Sequence, residues 1–230
     1  MFIKRGEFPF VFNLLLITFS IAMLGGYRKY ALLSFIIGSS IYIILLLLGK
    51  KGGSLKRIWL ICFVGFSVCY MALRNYEFLT VGYSLQRVLE YRQLAFEGHG
   101  GGSQMGISLD QNNIILFYLN YFYSLISNVI GPFPWQITSA STLILMLTEG
   151  VIFLFISIYL FKQRKEFNNV EMYLFIQGMV WFMIISISND DFGTGSRLRP
   201  VGWIPLLIIF SKHYGRHLYF RKIKLDKSKK

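Results

Sequence analysis

Seven apolar runs, most of them close to membrane length, leave this chain few ways to fold. They are Phe10 to Leu24, Ala31 to Leu48, Ile58 to Leu73, Ile114 to Ile130, Ser141 to Phe161, Met172 to Ser188 and a shorter Val201 to Phe210. A hydrocarbon core about 30 Å thick is crossed by about 20 mainly apolar helical residues. Within lipid every backbone N–H and C=O must be bonded inside the protein, so such runs fold as helices. Hydrophobic residues make up 54% of the 230 and charged ones 15%. A soluble domain lacks the polar surface to cover that much apolar material. The expected fold is therefore all-α, a polytopic transmembrane helix bundle. It forms a single integral membrane domain over residues 1–230, with no room for a separate soluble enzyme domain. The first run follows Lys4 and Arg5 as a signal peptide would, but further spans come after it, so it reads as a retained anchor.

Lysine and arginine set the orientation, because cytoplasmic loops collect them. If Ile114 to Ile130 dips into the outer leaflet and returns, six segments cross and both termini are cytoplasmic. The inner side then holds Lys4 and Arg5, the Lys50, Lys51, Lys56 and Arg57 cluster, and Lys162, Arg164 and Lys165. It also holds the basic tail, residues 212–230. Letting Ile114 to Ile130 cross would move either the Lys50 cluster, or the Lys162 cluster with the tail, outside. On the six-span reading, residues 74–139 are an extracytoplasmic loop with a surface helix and a re-entrant segment. The net charge of +13 does not indicate nucleic acid, because much of it lies in the tail: from Lys212 onward there are eight Lys or Arg and one acid, Asp226. A basic tail behind an apolar segment suits anionic lipid headgroups. Cys62 and Cys69 lie two turns apart on one helical face, too far apart to bridge, and read as packing residues.

The outer face in this arrangement carries Arg28, Lys29, Arg74, Arg87, Arg92, Arg197 and Arg199, only one of them lysine. The guanidinium fork binds carboxylate or phosphate oxygens in pairs, which an ammonium cannot do. These arginines either bind an anionic ligand or pair with Glu77, Glu90, Glu97, Asp190 and Asp191. Leu85, Val88 and Leu89 share a helical stripe with Arg92, which predicts a short helix at the membrane surface from Leu85 to Leu94. Arg87 and Glu90, three apart, can pair, while Arg87 and Arg92 point in different directions. The glycines around His99, Gly98 and Gly100 to Gly102, form either an anion-binding nest or a flexible linker. His99 has an ordinary pKa that suits proton abstraction from a sugar hydroxyl; Glu90, Glu97 and Asp110 are the competing bases. The stretch from Ser188 to Pro200 reads as an extended loop, because proline restricts the residue before it. Alternation would then turn Arg197 and Arg199 to one side, suited to a diphosphate unless Asp190 and Asp191 neutralise them. Glu149, inside an apolar run, needs a partner; Gln177 in the next run is one candidate, and a polar cavity reaching the outer face is the other. No metal-ligand spacing is present.

Two stretches carry a family resemblance. Gly131-Pro132-Phe133-Pro134-Trp135 precedes the Glu149-bearing run, and Asp191-Phe192-Gly193-Thr194-Gly195-Ser196-Arg197-Leu198-Arg199-Pro200 leads into the last one. From about Tyr83 to Phe210 the chain resembles the C-terminal half of bacterial polysaccharide polymerases of the O-antigen polymerase type. The resemblance implies a metal-independent, cofactor-free membrane glycosyltransferase at the outer face of the bacterial inner membrane. Its substrates would be undecaprenyl-diphosphate-linked glycans, and its neighbours membrane lipids and other polysaccharide-assembly proteins. The residues read above supply compatible parts: a base among His99, Glu90 and Glu97, and diphosphate contacts from Arg197 and Arg199 assisted by Arg87 or Arg92. A transport or scaffold subunit without chemistry is the competing reading.

Overall fold

The computed structural model describes some positions between 15 and 26, and residues 29–47, 84–98, 103–109 and 113–228. The run Ile58 to Leu73, both cysteines, His99 and Asp110 lie outside the described residues, as does the side chain of Glu97. The described chain is helical, with no strand among its residues. Its helices are α1 (Lys29–Leu47), α2 (Leu85–Gly98), α3 (Ile114–Ile130), α4 (Ala140–Leu145), α5 (Val151–Gln163), α6 (Asn169–Ser188) and α7 (Phe192–Ser228). A π-helical turn, Met146–Gly150, joins α4 to α5, so that Ala140–Glu166 runs as one rod. Among the described residues three elements are long and apolar enough to cross a membrane: α1, this rod and α6. Each coincides with an apolar run read from the sequence.

Helix α6 is the centre of the bundle. It packs antiparallel to α1: the Tyr30 ring meets Trp181, and the Tyr42 ring meets Tyr173. Between them Gln177 Nε2 donates to Ser39 Oγ at 3.1 Å. This corrects one expectation, since Gln177 is engaged by α1 and not by Glu149. On its other side α6 packs against α7 at glycine contacts. A Cβ on Gly178 would lie 2.8 Å from the Gly202 carbonyl oxygen, and one on Gly202 would lie 2.7 Å from the Phe182 ring. Small residues at such contacts let helices approach closely where lipid offers no hydrophobic drive between them. Gly178→Ala should therefore cost about 1–3 kcal/mol, read as a lower unfolding temperature of the protein in detergent. Gly215→Ala is the control, because nothing lies within 4 Å of its Cβ position; no loss is expected there.

The starts of helices explain themselves locally. Asn113 caps α3, its Oδ1 accepting from the N–H groups of Ile115 and Leu116. Ser139 caps α4 by accepting from Thr142 N–H. Asn168 and Glu171 cap α6 reciprocally, Oδ1 of Asn168 accepting from Glu171 N–H and Oε2 of Glu171 from Asn168 N–H. Glu171 also receives Lys212 Nζ at 2.5 Å and lies 3.2 Å from His213 Nε2, tying the start of α6 to α7.

Helix α3 ends at Gly131, whose peptide bond to Pro132 is cis, and the chain doubles back along it. Trp135 Nε1 donates to Tyr123 Oη at 2.8 Å, and Gln136 Nε2 donates to Ser127 Oγ at 3.0 Å. The end of α3 is wedged against the π turn: a Cβ on Gly150 would lie 2.9 Å from Ile130 O.

The stretch expected to be extended, Ser188 to Pro200, is mostly helix, because α7 begins at Phe192 and continues through Pro200 and Pro205. Asp191 supplies its cap. Proline is tolerated in a helix whose freed backbone groups neighbours can satisfy.

Candidate functional site

Polar side chains gather where α2, residues 103–109, the second half of α3, the end of α6 and the start of α7 meet; this is the cap end. Helix α2 lies across it with Leu85 and Leu89 buried and Val88 beside them, packed against Phe117, Tyr121, Leu109 and Ile187. The apolar helical stripe expected from sequence is present. Arg92, two turns after Leu85, falls on that stripe and is only 5% exposed. Arg87 and Glu90 face outward. Glu90 accepts from Gln86 Nε2 at 2.9 Å.

Residues 103–109 run extended beside the start of α7. Met105, Ile107 and Leu109 are buried while Gly106 and Ser108 are exposed, the period-two pattern of a strand-like segment. Gly106 has a φ of +69°, a backbone conformation that favours glycine. Met105 N–H donates to Asp190 O, and Phe192 N–H donates to Ser103 O. The glycines read as a nest or a linker, Gly100 to Gly102, lie outside the described residues.

The buried guanidinium of Arg92 explains how α6 ends. The last four carbonyls of a helix have no intrahelical partner. Arg92 Nη1 donates to Ser186 O at 2.9 Å and Asn189 O at 3.1 Å, with a longer contact to Ile187 O. Its Nη2 donates to Ile107 O at 2.8 Å and to Asp190 Oδ1 at 2.6 Å. Burial raises the Asp190 carboxyl above its ordinary value, opposed by the charge of Arg92 and by Ile107 N–H. Arginine does not deprotonate in proteins, so Arg92 remains a charged donor to Asp190 Oδ1.

Arg199 does the same for α3. Its Nε donates to Asn128 O and its Nη2 to Ser127 O, both at 2.9 Å, while Nη1 lies 3.3 Å from Glu149 Oε2. Trp203 Nε1 adds a bond to Val129 O. Arg199 is fully buried; Glu149, on the π turn, keeps about a third of its side chain exposed (32%). Glu149 is thus partnered by Arg199 instead of Gln177. The two clamps are joined through Asn128 and Asn189: Asn189 Nδ2 donates to Asn128 Oδ1, and Asn128 Nδ2 to Ser124 O.

Arg197 and Arg199 therefore do not face one way. Two residues apart on a helix they point to nearly opposite sides, and Arg197 is exposed while Arg199 is buried. Asp190 and Asp191 neutralise neither: Asp190 pairs with Arg92, and Asp191 caps α7. Asp191 Oδ2 accepts from Thr194 N–H at 2.6 Å, and its Oδ1 accepts from Ser103 Oγ. Burial pushes the Asp191 carboxyl up, but the bonds from Ser103, Thr194 and Gly193 outweigh this and hold it below the ordinary carboxylate range.

Beside these groups lies a small cleft of about 40 Å³. Tyr91, Gln104, Ser188, Asp191 and Thr194 line it, with Arg92, Asn189 and Asp190. Among the described residues no cluster of His, Cys, Asp and Glu could hold a metal ion. Of the residues read from sequence, the fold brings Arg92 to the cleft and Glu149 to Arg199, and leaves Arg87, Glu90 and Arg197 on the surface. Sequence reading missed Asn128, Asn189 and Ser103, whose roles depend on contacts across long stretches of chain. Comparison of the chain with protein-family models, curated proteins and solved structures finds no match.

Proposed function

We propose that the chain binds undecaprenyl-diphosphate-linked glycans at the outer face of the bacterial inner membrane and joins one to another, like the polymerases it resembles. The observation that carries this reading is the cleft at the cap end of an otherwise apolar bundle. An acceptor hydroxyl would attack the anomeric carbon and its bond to the lipid diphosphate would break. The proton would pass to a base among His99, Glu90 and Glu97. Because Arg92 and Arg199 are engaged by carbonyls and acids, the diphosphate contacts fall to the exposed Arg197 and Arg87.

The six-crossing topology, with Ile114–Ile130 re-entrant and both termini cytoplasmic, belongs to the same proposal. Its support is the doubling back of the chain after Gly131 along α3, and the antiparallel α1–α6 and α6–α7 pairs. In a variant lacking Cys62 and Cys69, cysteines placed at Ser108 and at Lys229 should react with an impermeant thiol reagent from opposite sides of sealed vesicles. Labelling of both from one side would exclude this topology.

The function is tested by incubating the purified protein in lipid with lipid-linked repeat units and measuring product chain length. Arg197→Ala should reduce polymerisation roughly 10²-fold, the scale of losing one donor to a developing anion. Arg197→Lys should also be impaired, since it loses the two-pronged geometry. Normal polymer from a well-folded Arg87→Ala, Arg197→Ala protein would turn the reading to a transport or scaffold subunit. One observation favours that second reading: Arg92 and Arg199 are held by carbonyls and acids within the protein and offer no free fork to a diphosphate.

A further inference from the structure

We infer that the end of the bundle away from the cap holds one anionic phospholipid, its phosphate bound by Tyr159, Lys162, Arg164 and Lys165 beside the seam of α5 and α7. Among the described residues the Tyr159 hydroxyl is buried and finds no hydrogen-bond partner. A buried donor left unpaired is costly, and such a group calls for a partner of its own. Two rings of α7 fix its place on the seam. Tyr159 stands edge-on to Phe210 at 5.2 Å and to Tyr214 at 5.9 Å between centroids. The Tyr214 ring, the nearer of the two to the end of the bundle, is 38% exposed. A rotamer change there uncovers the hydroxyl, a common adjustment at binding surfaces.

The residues around the hydroxyl follow the order of groups in a phospholipid. Phe155, Tyr159 and Lys162 succeed one another at spacings of four and three along α5, forming one stripe about 10 Å long. It begins with an exposed phenyl ring beside the exposed Ile158, passes the hydroxyl and ends at an exposed ammonium. A lipid lying along the rod presents acyl chains, then ester and phosphate oxygens, then its headgroup. The apolar rod Ala140–Glu166 ends here, which sets these groups where a crossing helix meets headgroups. Charge is complementary as well. Lys162, Arg164 and Lys165 stand against one acid, Glu166, and among the described residues none of the three cations forms an ion pair. Arg164 is held at the end of α5, its guanidinium 4.0 Å over the Phe161 ring and its Nη1 donating to Phe161 O. Lys212, by contrast, is answered by Glu171. A headgroup of net negative charge suits three such cations, whereas they repel the ammonium of a choline headgroup.

Thermal unfolding of the full chain in detergent, with phosphatidylglycerol, phosphatidylcholine or inorganic phosphate added, tests the site. Phosphatidylglycerol should raise the parent's midpoint more than phosphatidylcholine does, and inorganic phosphate should leave it unchanged. Tyr159→Phe keeps the ring and removes only the unpaired hydroxyl, so without lipid it should be at least as stable as the parent. It should nevertheless need about tenfold more phosphatidylglycerol for the same rise, the effect of losing one charge-assisted hydrogen bond. Lys162→Gln combined with Lys165→Gln, both at exposed positions, should abolish the preference for phosphatidylglycerol and decides the matter if Tyr159→Phe does not fold. Equal rises with the two lipids in the parent, an unchanged phosphatidylglycerol requirement in Tyr159→Phe, or an undiminished preference in the lysine variant would overturn the site. A rise with inorganic phosphate equal to that with phosphatidylglycerol would overturn the lipid as its ligand.

Discussion

Arg199→Ala should destabilise the bundle by about 3–5 kcal/mol, the range for removing one partner of a buried ion pair. The loss strips Ser127 O and Asn128 O of a donor and leaves Glu149 without its cation. Arg199→Lys should recover only part of this, because one ammonium cannot reach two carbonyls and a carboxylate in the same geometry. Glu149→Gln should behave almost as the parent, since its side chain is a third exposed and an amide oxygen still accepts. Glu149→Leu should fall between, leaving a buried guanidinium uncompensated. The measurement is the unfolding midpoint in detergent, followed by gel filtration after heating. An Arg199→Ala midpoint equal to the parent's would show that the end of α3 does not depend on this side chain.

Arg92→Ala should have a comparable effect, about 3–5 kcal/mol, but confined to the cap. Its guanidinium reaches α6 carbonyls, Ile107 O and Asp190 at once, so its removal detaches α2 and residues 103–109 from α6 together. Hydrogen exchange should rise over both segments while α1 and the lower half of α6 keep their protection. Arg92→Met combined with Asp190→Leu should restore part of the loss, because no charge is then left unpaired. Protection unchanged over 85–98 in Arg92→Ala would contradict the clamp.

The sequence made the helices legible because lipid length and apolar continuity leave little choice for runs such as Ala31 to Leu48 or Met172 to Ser188. Helix α2 was legible for a similar reason: Leu85, Val88, Leu89 and Arg92 repeat at helical spacing. What the helices hold was not. Pro200 suggested extended chain at Arg199, a local preference that the surrounding bundle overrides. The signal in favour of helix was Asp191, an N-cap residue three positions before Thr194, whose N–H it accepts. Once that stretch is helical, Arg199 turns inward and becomes the partner that Glu149 required. The Arg92–Asp190 pair spans 98 positions, and nothing local marks it. Both arginines were read as ligands for an external anion, and both instead bond carbonyls at helix ends.

The clamp on α3 carries a consequence for how the protein is made. Chain synthesis delivers Ser127 and Asn128 about seventy residues before Arg199, the side chain that completes their bonds. Until that arginine leaves the ribosome, the end of α3 can rest in place only provisionally, with water or the insertion machinery standing in for the missing donor. A nascent chain halted before Arg199 should thus expose α3 to the quality-control proteases of the membrane, while one halted after Trp203 should not. The last helix acts as the keystone whose arrival makes the earlier insertion permanent.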